Sequence, residues 1–290
     1  MSDKEEKSLD VFGLKSYGDA INTIAKGLID GIGAFLGKIC LPAAEEFGLL
    51  LRDKISYYRI VNLAKVTEKA KKKIEESGRT ESGSMNPRIL KEIIEESSWT
   101  EDEGLQEMWA GLLAGTAVDR NPNDDALIYI NVLKKLSAFQ ANLLNLIYGD
   151  PRICSFPSSF SILNFEFKPR VPLVYTSKQI LRISPRPLNE VVPITGATHE
   201  RILNDTSCHD IALGRFQPQM LGLKSESLIL EFKTVEFNGL GVQFWPTISG
   251  LDLYMRCTGV SIYPIEAYII TRQEKYKREG ISPFTWMPSN

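Results

Sequence analysis

Histidine is nearly missing from this chain, cysteine is sparse, and no long apolar run is present. The two histidines, His199 and His209, leave little imidazole for acid–base catalysis or metal ligation. The four cysteines, Cys40, Cys154, Cys208 and Cys257, form no Cys-x-x-Cys pair, and their spacing suits neither a disulfide scaffold nor a zinc site. Free thiols are therefore expected, and with them a reducing cytoplasm. A membrane-spanning helix needs roughly 18 or more uninterrupted apolar residues. The nearest approach, from Gly27 to Ala44, is broken by Asp30, Lys38 and Pro42. An excess of positive charge is also lacking: the net charge is −2, so any anion-binding surface has to be local. The opening Met1-Ser-Asp-Lys-Glu-Glu-Lys7 has no apolar core behind a basic head, and no secretory leader is expected from it.

What is present is ordinary globular material. The chain has 290 residues, 43% hydrophobic and 24% charged, enough for one large domain or two small ones. From Tyr17 onward, Ile21, Ile24, Leu28, Ile32, Phe35 and Ile39 recur at threes and fours and predict an amphipathic helix. Gly27, Gly31, Gly33 and Gly37 interrupt it, each costing about 1 kcal/mol of helix propensity relative to alanine. Pro42 suits the start of a new helix, and the stretch from Ala43 to about Ser77 reads as one long helix of about 50 Å. Its second half carries Lys65, Lys69, Lys71, Lys72 and Lys73.

Helix starts follow in order. Asn86-Pro87 places a cap and a first-turn proline, and Thr100-Glu-Asp-Glu103 and Ser137-Ala-Phe-Gln140 both read as capping boxes. Residues 151–193 are rich in proline and predict short strands and loops. Beyond them, helices are expected over Thr198 to Leu203 and Cys208 to Leu221. A hairpin turning at Asn238-Gly239 follows, then helices over Ile248 to Cys257 and Pro264 to Gly280. The fold expected is mainly α with an α+β C-terminal part. A flexible N-terminus (1–16) leads into a helical module (17–125), and a winged-helix-like domain (126–290) contains the Pro-rich insert.

The block from Leu41 to Ala117 resembles the abortive-infection alpha family of prokaryotes. The residues that carry the resemblance are Pro42-Ala-Ala-Glu-Glu-Phe-Gly48, Tyr58-Arg59, Asn86-Pro-Arg88 and, most specifically, Glu101-Asp-Glu-Gly-Leu-Gln-Glu-Met-Trp-Ala-Gly-Leu-Leu-Ala114. In the last segment Leu105, Gln106, Trp109, Leu112 and Leu113 form the motif. Leu136-Ser137, Leu221-Gly-Leu223 and Ile248-Ser-Gly-Leu251 fit more loosely, and the Pro-rich insert has no counterpart. The resemblance implies a role in phage defence and assigns no catalytic residue.

The candidate sites are surfaces. Gly27, Gly31, Gly33 and Gly37, with Phe35, suit close helix contact, assembly or a membrane surface; burial in a helical core is the plainer reading. Lys65, Lys69, Lys72 and Lys73 could bind phosphate or anionic lipid; a solvated helix face is the plainer reading. The acidic run Glu92, Glu95, Glu96, Glu101, Asp102 and Glu103 suggests a metal site, but is explained first by capping and the helix dipole, with self-association against the lysines as the alternative. Cys208-His209-Asp210 cannot act as a relay, because neighbours on a helix point about 100° apart. No catalytic site, cofactor or metal is expected. The expected partner is another protein or a second copy. An anionic membrane surface is the next choice, and duplex DNA read by the winged-helix-like half the third. The expected location is the cytoplasm, with peripheral contact to the inner membrane as the extension.

Overall fold

A computed structural model describes residues 18–40, 57–119, 124–150, 153, 173–191, 197–236 and 239–259. The flexible start expected over 1–16, the first half of the long helix, the front of the Pro-rich insert and the helix expected from Pro264 to Gly280 lie outside them.

The first helix, α1 (Gly18–Ile39), follows the periodicity of its apolar residues. Ile32, Phe35, Leu36 and Ile39 are buried, and the turn after the helix is tied down by the Met85 N–H donating to Ile39 O at 3.0 Å. The long helix is present as α2 (Tyr57–Ser77), which buries Ile60, Leu63, Val66, Ala70 and Ile74 at threes and fours. It ends at Gly78, whose φ of +65° is left-handed and so favours glycine. Next, α3 (Pro87–Ser98) starts as the sequence indicates: the Asn86 side chain accepts from Arg88 N and proline takes the first helical position.

At the centre lies α4 (Glu103–Ala117). From Met108 to Gly115 every residue is buried, so the helix is apolar on all sides and packs against α2, α3 and three later helices. Its cap corrects the expectation. Asp102, not Thr100, accepts from Leu105 N, while Thr100 turns back to donate to Glu96 O and offers its own carbonyl to Gln106. A carboxylate one residue from the helix meets both the free N–H groups and the dipole, so it displaces the more distant threonine.

Then come α5 (Ala126–Leu133) and α6 (Ala138–Tyr148). The Ser137–Gln140 capping box forms with both reciprocal bonds. Among the described residues of 151–193 the expected loop runs over 184–187, and the expected strand is β1 (Leu173–Thr176). Two short helices, α7 (Ser177–Arg182) and α8 (Leu188–Val191), follow it. The signal for α7 was legible: Thr176 and Gln179 are a capping box, with both bonds formed.

The remaining elements are α9 (His199–Asn204), α10 (His209–Ser225), β2 (Ile229–Glu236), β3 (Leu240–Pro246) and α11 (Ile248–Cys257). The strands form one antiparallel sheet in the order β1-β3-β2. Leu173 pairs with Phe244 and Tyr175 with Val242, which places their side chains on the buried face. A bulge between Ile229 and Glu231 leaves Leu230 out of the ladder and 57% exposed.

The two parts of the chain share one core, and two contacts stand out in it, one within the second part and one between the parts. Tyr148 is fully buried: its hydroxyl donates to Leu228 O and accepts from Thr247 N–H at 3.0 Å, tying α6 to both ends of the hairpin. Burial pushes its phenol well above the ordinary range. Gly111 of α4 meets the end of α11 so closely that an added Cβ would overlap the Cys257 carbonyl and lie 3.0 Å from Thr258 N.

Candidate functional site

The sequence nominated several surfaces, and they fare differently. On α1, Phe35 is 6% exposed and belongs to the core, along with Ile32, Leu36 and Ile39 of the apolar stripe. A membrane-inserting face would need that stripe free. Gly27 and Gly31 are exposed and Gly33 and Gly37 half-buried. Added Cβ atoms at Gly27, Gly31 and Gly33 meet nothing within 4 Å. These three glycines therefore do not serve close packing among the described residues. In those residues no helix is long and apolar enough to cross a membrane.

The lysine stretch of α2 lies against α4 and is mostly paired. Lys69 Nζ lies 2.7 Å from Glu107 Oε1 and 3.5 Å from Glu103 Oε1, and Lys73 Nζ lies 3.1 Å from Glu107 Oε2. Burial acts to raise the Glu107 carboxyl, but hydrogen bonds from Lys69 and Lys73 outweigh it and hold the pKa below the usual value. Lys71 and Lys72 make longer i,i+4 contacts to Glu75 and Glu76, at 3.9 and 3.8 Å. Lys65 is exposed and has no ion-pair partner among the described residues. A phosphate or lipid headgroup at Lys69 or Lys73 would have to displace a carboxylate of the same chain.

The motif helix contributes to the fold. Gln106, Trp109 and Leu112 are each 2% exposed, Leu113 is fully buried, and Leu105 packs partly buried against the core. Gln106 Nε2 donates to Thr100 O at 2.8 Å, which satisfies the buried amide.

Both histidines are held by fold contacts. His199 Nδ1 accepts the Leu188 N–H at 3.0 Å. His209 is 3% exposed; its Nδ1 lies 2.6 Å from Ser177 Oγ and its Nε2 3.3 Å from Leu203 O. A neutral ring protonated at Nε2 satisfies both bonds, with the Ser177 hydroxyl donating. Sequence reasoning missed this serine–histidine pair, because its members lie on different helices. Ser177 is itself only 4% exposed, so its oxygen is shielded from an incoming substrate. The ring of His209 points to Ser177, while Asp210 is exposed and Cys208 half-buried beside Ser207. Among the described residues no group of three His, Cys, Asp or Glu is placed to hold a metal ion.

Two features of the surface were not anticipated. Trp99 is 58% exposed just beyond α3, with the Arg59 guanidinium 4.5 Å from its ring centroid. Arg59 is fixed there, donating through Nε to Ser98 Oγ at 3.0 Å and pairing with Glu95 at 2.9 Å. That guanidinium holds the Glu95 carboxyl below its ordinary pKa. With Tyr57 and Tyr58 also exposed on α2, this end of the helical module presents aromatic side chains, with the Arg59 side chain, 12% exposed, held against the indole. The second feature is the outer face of α10, where Ile211 and Leu221 are 56% and 50% exposed.

Comparison with known proteins gives one match: the sequence model of the family described as "Abortive infection alpha" covers residues 59–187. That region runs from Arg59 through the motif helix to the residue before α8. No curated protein and no solved structure matches the chain.

Proposed function

We propose that the protein acts in abortive-infection phage defence as an interaction protein, engaging a protein partner rather than transforming a substrate. The observation that carries the defence role is the family match over residues 59–187. What supports the interaction role is the Arg59–Trp99 plate with Tyr57 and Tyr58, since tryptophan, tyrosine and arginine dominate the energetics of protein interfaces. The charged and catalytic-looking groups offer less: Lys69 and Lys73 are paired, and Ser177 and His209 are buried.

The test is phage challenge of cells expressing the chain at native level, with Trp99→Ala beside it. The wild type should lower plaque numbers for part of a broad phage panel. The variant should lose that protection at unchanged melting temperature, because the indole is exposed and leaves no cavity. Normal plaque numbers with the wild type across the panel would refute the defence role, and full protection by Trp99→Ala would refute the role of the plate.

A second reading is favoured by the sheet. The order helix, strand, further helices and hairpin, with a three-stranded sheet β1-β3-β2, supports a winged-helix-like reading, in which α10 would enter the major groove. The only exposed cations on α10 are Arg215 and Lys224, which is meagre for a duplex binder. Titration with duplex DNA across salt concentrations decides: absence of binding at low salt removes this reading.

A further inference from the structure

We infer that the outer face of α10 is a self-association surface, pairing antiparallel with α10 of a second copy. This rests on the reading of the protein as an interaction protein, and names a surface and a partner for it. The face lies beyond the matched region.

The exposed positions of α10 fall into an apolar centre, which ends at Ser225, and polar rims that include Gln217. At 100° per residue, Ile211, Gly214, Pro218 and Leu221 share one face. Gly214 is exposed, and an added Cβ there meets nothing within 4 Å. Pro218 sits inside the helix, so this face also lacks one backbone N–H. Arg215 lies on one flank of the apolar centre, and Asp210 and Lys224 on the other. None of these three has an ion-pair partner among the described residues.

That pattern is self-complementary. A twofold axis beside the middle of α10, near Phe216, reverses the second helix and brings like flanks together. Ile211 then stands opposite Leu221 of the second copy, and Leu221 opposite its Ile211, the two pairs about 15 Å apart along the helices. Between them Gly214 meets Pro218, so the helices can approach closely where they cross. On the shared flank Asp210 of one copy comes near Lys224 of the other, twice, which matches charge to charge. Arg215 lies on the far flank, off the contact. A parallel twofold pairing would instead set this flank beside the Arg215 flank of the other copy and part Asp210 from Lys224 by about 20 Å along the helices.

One helix face covers less than the roughly 800 Å² per partner of a standard stable interface, so the pairing is weak and concentration-dependent. Sedimentation velocity on the full chain, over roughly a hundredfold range of concentration, reads it directly. The wild type should shift from monomer toward dimer. Leu221→Asp should weaken the association at least tenfold without changing the melting temperature. Asp210→Lys and Lys224→Asp should each weaken it several-fold, and the double reversal should restore it. Loss of the helix-dipole contribution of these end charges would add in the double variant, so restoration identifies pairing between copies. A wild type that stays monomeric overturns the inference, as does a dimer indifferent to Leu221→Asp or duplex DNA binding that Leu221→Asp abolishes. A monomeric protein that still protects against phage refutes this surface alone. A dimer that gives no protection refutes the defence role and leaves the surface standing.

Discussion

In α1, Gly27 and Gly31 look onto open space; in α4, at the same spacing, Gly111 is pressed onto the last turn of α11, with Gly115 alongside Gly259. A small residue permits a backbone to come close but does not bring one there. The apolar stripe of α1 is Ile32, Phe35, Leu36 and Ile39, and the core takes that side of the helix. The glycines at 27 and 31 are left facing outward. In α4 every residue from Met108 to Gly115 is buried, so the glycine side must meet another element, and it meets the backbone from Cys257 to Gly259.

The largest effect should come from Gly111→Ala. Its Cβ would overlap a backbone carbonyl, which cannot rotate aside, so the two helices must part. A loss of about 3 kcal/mol or more is expected in denaturant unfolding. Gly115→Ala sharpens the point within the same helix: its nearest neighbour is 3.6 Å away, ordinary contact, and helix propensity offsets any crowding. A near-neutral result is expected there.

Tyr148→Phe comes next. It keeps the ring but leaves the Leu228 carbonyl and the Thr247 N–H without the hydroxyl they share, for a loss of about 1–3 kcal/mol. Thermal melts read it, and the loss should appear as destabilisation of the whole protein, since the residue joins helix, hairpin and α11.

Glu107→Gln should have a smaller effect. The Glu107 pKa is lowered in the folded protein, so its stabilisation is present above the ordinary carboxylate pKa and lost as pH falls through the folded value. The carboxylate is 44% exposed, and solvent screening limits the difference to about 1 kcal/mol or less at neutral pH. Unfolding curves of variant and wild type should converge in acid.

Much of the local architecture was legible in the sequence. The Asn86-Pro87 start and the Ser137–Gln140 box depend on chemistry within a few residues, and helices follow where they indicate; the expected Asn238-Gly239 turn falls partly outside the described residues, between two strands that pair. Thr100 was misread because two acceptors compete for the same N–H groups and proximity decides for Asp102. The contacts that matter most for packing were not legible. Gly111 meets a backbone far along the chain, and Ser177 meets a histidine on another helix. The lysines of α2 read as a free basic face because Glu107 sits on a separate helix. Periodicity says that a face exists; only the fold says what stands across from it.

The claim that the opposing surface, not the glycine spacing, sets the role of these residues is tested most directly by alanine at Gly31 and at Gly111, unfolded side by side in the full chain. Gly31→Ala fills open space on a helix, and should be as stable as the wild type or more stable by up to about 1 kcal/mol. Gly111→Ala should fall well below both. Equal losses at the two positions would contradict the account and place α1 in a close contact of its own.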